Sequence, residues 1–252
     1  MNSGIILQAR LGSKRFPGKT CKNINGQPMI WHVINRLKQV KQVSQIILAT
    51  TKEKQDKILL DIASNEKIKR FSGSSDNVLE RYYQCAKKFS IDPIIRITGD
   101  CPLIESQLID EMAIFFHKNN YDYVSNTLEP TFPDGLDVEI ISFKTLKILN
   151  EKSKLKSERE HVTSYIKKHK SEFRIFNFKN NEDLSNFRWT VDEKEDLEFI
   201  RKIYSLNNLK PNFNMYDVLK NISENPELLQ INKNIKRNEG YYKSLQNDHE
   251  IN

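Results

Sequence analysis

Ile5-Ile6-Leu7-Gln8-Ala9-Arg10-Leu11-Gly12-Ser13-Lys14-Arg15-Phe16-Pro17-Gly18-Lys19 runs from an apolar segment straight into a basic loop. Ile5-Ile6-Leu7 is β-branched, uncharged and bounded by Gly4, the pattern of a short buried strand. Four cations, two glycines and a proline follow within the ten residues from Arg10 to Lys19. Glycine lets such a loop approach a ligand closely, and backbone N–H groups joined by Arg and Lys side chains suit a polyphosphate. A solvated basic loop has the same composition, so the stretch alone leaves both readings open. Ser13-x-x-x-x-Gly18-Lys19-Thr20 also differs from a P-loop only by serine at the first glycine. A P-loop runs into a helix, however, whereas Cys21-Lys22-Asn23-Ile24-Asn25-Gly26 carries a turn signal and no helical apolar stripe.

Beyond the loop the chain alternates. Gln27-Pro28 opens a helix on which Ile30, Val33, Ile34, Leu37 and Val40 recur at helical spacing, with Trp31 and His32 as packing or surface residues. Ile46-Ile47-Leu48-Ala49-Thr50 reads as a second buried strand, and Ile58, Leu59, Ile62 and Ala63 mark a second helix. A short strand at 68–71 ends in Ser72-Gly73-Ser74-Ser75-Asp76-Asn77, and Val78, Leu79, Tyr82, Tyr83 and Ala86 continue as a helix that Ser74, Ser75 or Asp76 would cap. The run from Pro93 to Thr98 is the most strand-like in the chain, and it breaks at Gly99-Asp100-Cys101-Pro102. This alternation predicts an α/β fold with a mostly parallel sheet flanked by helices, which binds ligands outside the carboxyl ends of its strands. Asp100 stands at such an end, where a turn role and a magnesium ligand are both open. Cys101 reads as a small buried filler.

The second half departs from this rhythm. Leu108 to Phe116 forms another amphipathic helix, and Tyr121 to Val124 a short strand. Leu136-Asp137-Val138-Glu139-Ile140 alternates apolar and acidic residues, which predicts a half-exposed antiparallel strand with Asp137 and Glu139 on one face, either toward solvent or toward substrate hydroxyls. Ser157-Glu158-Arg159-Glu160 fits a capping box and leaves Arg159 and His161 unexplained. Strands are predicted at 173–178 and 188–191. Asp192 then caps the helix bearing Leu197, Ile200, Ile203 and Tyr204, with Glu195 at the box position, or serves as a second magnesium carboxylate. One more helix lies near Met215 to Ile222, ahead of an Asn/Lys-rich tail to which no chemistry is assigned.

Composition narrows the function classes. At 252 residues the chain can bury a sizeable core, while 38% hydrophobic and 29% charged residues indicate a wet surface. Lys and Arg number 40 against 33 Asp and Glu, a net charge of +7. The lysines are spread over nearly every predicted helix without an aromatic-basic RNA-binding motif, so no nucleic-acid partner is expected. Cys21, Cys85 and Cys101 form no C-x-x-C pair, which argues against a disulfide framework or thiolate zinc site. No apolar run approaches membrane length, and Met1-Asn2-Ser3-Gly4 leads into a strand without a signal segment, which predicts a cytoplasmic protein.

Ala9-Arg10 to Lys19, Arg96-Ile97-Thr98-Gly99-Asp100-Cys101-Pro102-Leu103-Ile104, Asp134-Gly135-Leu136-Asp137-Val138-Glu139 and Arg159-Glu160-His161-Val162-Thr163 together resemble the cytidylyltransferases that make CMP-activated acidic sugars. The spore-coat polysaccharide biosynthesis branch is the most similar, over about Ile5 to Ile200. The resemblance implies a nucleotide-diphosphosugar-transferase-like, Rossmann-like fold with a small antiparallel lobe, CTP as substrate, Mg²⁺, attack on the α-phosphate with release of pyrophosphate, and a homodimer. It implies a single nucleotidyltransferase domain over 1–235, with a substrate or dimer lobe at about 121–180 and a polar tail at 236–252. By position it implies that Ala9, Arg10, Gly12, Ser13, Arg15 and Lys19 cradle the triphosphate and that Ser72, Gly73, Ser74, Asp76 and Asn77 lie near the nucleoside. Asp100 and Asp192 would hold Mg²⁺, and Arg10, Lys19 and Asp100 would be catalytic. Asp134, Asp137, Glu139, Arg159 and His161 would face a small polar acceptor. Gly-Asp-Cys-Pro stands where sugar-acid synthetases commonly show Gly-Asp-Glu-Pro, which leaves a sugar, a sugar acid or a phosphorylated compound open as acceptor. The rival readings are a glycosyltransferase, although Pro102 stands where Asp-x-Asp needs its second carboxylate, a P-loop NTPase, and a basic nucleic-acid-binding module.

Overall fold

The computed structural model describes residues 2–251 apart from 209 and 211. The first apolar run is β1 (Gly4–Gln8), and the basic loop follows it. A single 3-10 turn at Lys19–Cys21 and a hairpin of β2 (Asn23–Ile24) and β3 (Gln27–Pro28) then lead into α1 (Met29–Leu37). No helix grows from Lys19-Thr20, which removes the P-loop reading. Pro28 sits at the N-cap instead of inside the first turn, because it still pairs with Asn23 across the hairpin.

β4 (Gln45–Thr51), α2 (Lys57–Asn65), β5 (Lys69–Gly73), α3 (Val78–Phe89) and β6 (Ile94–Thr98) complete the alternating half. There follow α4 (Ser106–Lys118), β7 (Tyr123–Ser125), β8 (Glu139–Ile141), α5 (Phe143–Lys152), α6 (Lys156–Glu160), α7 (Ser164–Lys168), β9 (Ile175–Asn177), α8 (Lys194–Leu206), α9 (Met215–Glu224) and α10 (Glu239–Gln246). Among the described residues one sheet runs in the order β5-β4-β1-β6-β8-β7-β9. β5, β4, β1 and β6 are parallel, β8 is antiparallel to both β6 and β7, and β9 lies parallel to β7. The mostly parallel, helix-flanked sheet is as expected; a small antiparallel pair does stand apart from it, but it is the β2-β3 hairpin, whereas β7, β8 and β9 within the expected lobe at about 121–180 join the main sheet.

Two apolar clusters line the faces of the sheet, as the two-residue period of a strand requires. Ile5 and Leu7 of β1 join α1, α4 and α8 on one face, while Ile6 turns to α3, α5 and α7 on the other. No described helix is long and apolar enough to cross a membrane.

Several local expectations are corrected. β8 is fully buried, because it is inserted between β6 and β7, and its Glu139 is only 4% exposed. Residues 188–191 are extended but form no ladder; one bridge joins Arg188 to Asp134. Asn77, and not Ser74, Ser75 or Asp76, caps α3 by accepting the Glu80 amide at 2.9 Å. At α6 the box carboxylate is Glu158, which accepts the Lys154 and Leu155 amides, while Ser157 turns to Asp248. At α8 the N-cap is Glu193, and Asp196, not Glu195, accepts the Asp192 and Glu193 amides at 2.9 and 3.0 Å. That arrangement leaves the Asp192 side chain to other partners.

Candidate active site

Gln8 and Thr98, the last residues of β1 and β6, are paired in register. The basic loop and the Gly99-Asp100 turn therefore leave the sheet side by side. Gly99 donates its amide to Gln8 O at 2.8 Å, and a Cβ on it would lie 2.9 Å from Ile30 Cδ1 and 3.1 Å from Gln8 O. A larger residue would push the two turns apart.

The third contributor is the strap formed by residues 187–192. Asp134 donates its amide to Phe187 O at 2.9 Å, Trp189 donates to Asp134 O at 2.6 Å, and Val191 donates to Asp100 O at 2.8 Å. Gly135 makes this possible: its φ is +112°, and a Cβ there would stand 2.6 Å from the strap backbone. The strap so anchored delivers Asp192 to the carboxyl end of β6.

At the meeting point lies Lys19, 7% exposed. Its ammonium donates to Asp100 Oδ2 at 2.9 Å, to Asp192 Oδ1 at 2.9 Å and to Val191 O at 2.8 Å. Burial opposes the charge, but the two carboxylates outweigh it and raise the Lys19 pKa. Burial likewise works against Asp100, yet Lys19 and the Thr98 hydroxyl hold its carboxyl well below the ordinary range. Arg15 Nη2 is 2.7 Å from Asp192 Oδ1, and Ser13 accepts the Phe16 amide within the same loop. Arg10 donates to Ser75 O at 3.3 Å and approaches Glu160 at 3.9 Å, so it ties the Gly-Ser turn and α6 to the basic loop. The turn is braced from beneath by the fully buried Arg81, which donates to Ser74 O at 2.7 Å. Ala9 is buried under the loop, whereas Gly12 and Asp76 are exposed.

The expected acceptor residues separate. Asp134 meets Arg188 at 2.9 Å, and Arg188 also reaches Asp192 and Asp196. Burial and the nearby Asp137 push the Asp134 carboxyl up to about 7. Asp137, likewise raised by burial, accepts from Arg237 at 2.9 Å. Glu139 instead accepts from Arg96, Tyr123 and Thr163 beneath the sheet surface. Arg159 turns to Asn150. His161 has a buried Nε2 with no hydrogen-bond partner among the described residues, and burial lowers its pKa to about 4.

Arg81, Arg188, Arg237 and Asp196 were missed in the sequence. Arg81 left a signal, since it shares a helix face with Val78, Tyr82 and Cys85, where a cation is out of place. Arg237 left none, because its partner Asp137 lies a hundred residues away; Arg188 has Asp192 and Asp196 four and eight residues on, but its link to Asp134, 54 residues back, left no local signal.

Two carboxylate groups converging on one point form the hard-oxygen set that Mg²⁺ uses alongside phosphate oxygens and water. Among the described residues no group of three or more His, Cys, Asp or Glu gathers as a metal site. Asp100 and Asp192 fit a metal shared with a substrate and not one caged by protein. With Arg10, Arg15 and Lys19 beside them, the arrangement can hold a polyphosphate and balance charge as a phosphorus–oxygen bond breaks.

A family profile described as cytidylyltransferase matches residues 4–236. An uncharacterized protein of Methanocaldococcus jannaschii is 33% identical over 237 residues, covering 92% of this chain and 95% of its own. The spore coat polysaccharide biosynthesis protein SpsF of Bacillus subtilis is 28% identical over 231 residues, covering 88% and 94%. Among solved structures, a cytidylyltransferase from Leptospira borgpetersenii superposes with a TM-score of 0.88 at 34% identity, covering 91% of this chain and 97% of that one.

Proposed function

The chain belongs to the cytidylyltransferase family, and from that premise we propose that it transfers CMP from CTP to a sugar, sugar acid or phosphorylated acceptor, with release of pyrophosphate, for surface polysaccharide biosynthesis. The observation that carries this reading is the Lys19 ammonium held 2.9 Å from both Asp100 and Asp192 where β1 and β6 end. Cations for a triphosphate and two carboxylates for its metal then share one ridge of the sheet.

In this reading Arg10 and Arg15 exchange their contacts with Glu160 and Asp192 for phosphate oxygens. The Gly-Ser turn, Ser72 to Asn77, receives the nucleoside. Asp100 and Asp192 hold Mg²⁺, which when bound polarises the phosphates and neutralises charge on the leaving pyrophosphate. Lys19 stays charged throughout and faces the charge that develops in the transition state. The acceptor sits against Asp134, Asp137 and His161, whose neutral ring accepts or donates one hydrogen bond. A nucleophile that arrives ionised, such as a phosphate monoester, needs no base, whereas a hydroxyl would give its proton to Asp137. The same reading makes the protein a cytoplasmic homodimer with a single nucleotidyltransferase domain.

The test is a pyrophosphate-release screen of four nucleoside triphosphates against phosphorylated sugars, polyols and sugar acids, with and without Mg²⁺. The expected outcome is release with CTP, Mg²⁺ and one acceptor class. Release of orthophosphate, or release independent of any acceptor, would refute the reading.

A further inference from the structure

The C-terminal segment returns to the site. Beyond Asn232 no residue with a described side chain is buried, and neither apolar cluster takes a residue from beyond Ile231. The segment is held at points by polar contacts instead. At its start Arg237 donates to Asp137 Oδ1 at 2.9 Å and to Phe132 O at 3.2 Å, with Nε 3.8 Å from Asp134. On α10 the Tyr241 ring stands edge-on to His161 with centroids 5.0 Å apart, and Ser244 donates to Glu160 at 3.3 Å. At its end Asp248 accepts the Ser157 amide at 2.9 Å and hydroxyl at 2.6 Å, while Lys156 N donates to His249 O and Ile251 N to Lys154 O.

Four of these partners flank the proposed acceptor position: Asp134, Asp137, Glu160 and His161. Gly240 also lies against the Arg15 guanidinium, where a Cβ would be 3.5 Å from Nη2. Beneath the segment the buried His161 Nε2 has no partner among the described residues. A segment that rests on a site through ion pairs and hydrogen bonds, with almost no apolar burial, opens at little free-energy cost.

Resting on the cytidylyl-transfer reading for its occupant, we infer that residues 237–251 form a movable wall of the acceptor compartment, and that Arg237 is a specificity-determining residue for an acceptor bearing a carboxylate or phosphate. Such an acceptor replaces contacts that the chain makes with itself. Its hydroxyl takes the place of Arg237 at Asp137, and its anion takes the place of Asp137 at Arg237. Bidentate pairing with planar oxyanions is the chemistry at which a guanidinium exceeds an ammonium.

The test has one arm that needs no substrate. In the protein with Cys21→Ser, alkylation of Cys101 by iodoacetamide reports access to the compartment, since Cys101 is 3% exposed and lies near enough to Asp137 and Asp134 for their charges to act on its thiol. Cys85, buried in the cluster on the opposite face, is the internal control. Arg237→Gln and Asp248→Ala should each speed Cys101 alkylation and hydrogen exchange at the Ile251 amide by about tenfold, with Cys85 unchanged. Unchanged Cys101 rates in both variants would overturn the wall. The second arm uses the acceptor found by the pyrophosphate screen. Arg237→Gln should raise its KM about tenfold with kcat within about threefold, and Arg237→Lys should recover part of the loss. An unchanged KM in Arg237→Gln would overturn its part in specificity. Failure of the screen alone would count against cytidylyl transfer and leave the alkylation result to decide the wall.

Discussion

At the scale of single residues, opposite charges are matched at close range throughout the site, and the consequences differ with burial. Lys19 pairs with Asp100 and Asp192 beyond the carboxyl ends of β1 and β6, whereas Arg96 with Glu139 lies under the sheet surface. Burial would raise the Glu139 pKa, but Arg96, with the Tyr123 and Thr163 hydroxyls, holds it at about 2. A carboxylate whose folded pKa is depressed stabilises the fold above its unfolded value, near 4.5, and that contribution fades as pH falls toward 2. Glu139→Gln should flatten this part of the pH dependence and leave Arg96 buried without its counter-charge, costing about 3–5 kcal/mol at neutral pH. Urea denaturation at stepped pH measures both effects. A variant as stable as wild type at pH 7 would mean that the pair carries little. Lys19 and Asp100 were legible in the sequence because they follow runs that form adjacent parallel strands, β1 and β6; Asp192 follows a run that reads as strand but forms no ladder, and it reaches the same edge through the Val191–Asp100 backbone bond. Glu139 was misread because alternation reports a strand's two faces without saying whether both are covered.

The elements that matter most are those that bring distant turns together. The strap at 187–192 alternates like a strand, yet it hangs on the 134 turn by two backbone bonds and on the 100 turn by one, and forms no ladder. Its register rests on Gly135, where an added methyl would meet strap backbone from a left-handed conformation. Gly135→Ala should therefore destabilise the protein by at least about 2 kcal/mol, through strain and displacement of the strap together. Thermal melts read the loss, and turnover should fall further than stability alone explains, because Asp192 rides on the strap. A melting temperature equal to wild type would show that the close approach is dispensable. The capping errors share a cause with the misread strand. Asn77 and Asp196 each lie within a few residues of an equally suitable side chain, and only the path of the preceding backbone decides which one caps.

For the whole molecule, the first hundred residues were readable because strand and helix periods alternate there with clear punctuation. The second half was less so. β8 and β7 are three residues long, and their pairing depends on contacts that no local pattern encodes. The C-terminal segment has polar composition and little apolar stripe, so nothing in its sequence fixes the surface it returns to. The cytidylyl-transfer account predicts that CTP with Mg²⁺ stabilises the assembled site. At a hundredfold excess over Kd the gain should be about 2.7 kcal/mol, or roughly 5–10 °C in Tm for a chain of this size. GTP should give much less, and equal shifts for both nucleotides would argue against a cytosine-selective pocket.

The most direct test is steady-state pyrophosphate release by the wild type, Lys19→Ala and Asp100→Asn, with CTP, Mg²⁺ and the acceptor identified by screening. Each substitution should lower turnover at least about tenfold, equivalent to roughly 1.4 kcal/mol of barrier, while the circular dichroism spectrum stays that of the folded protein. Near-native turnover in both variants would place the chemistry somewhere other than the Lys19–Asp100–Asp192 cluster.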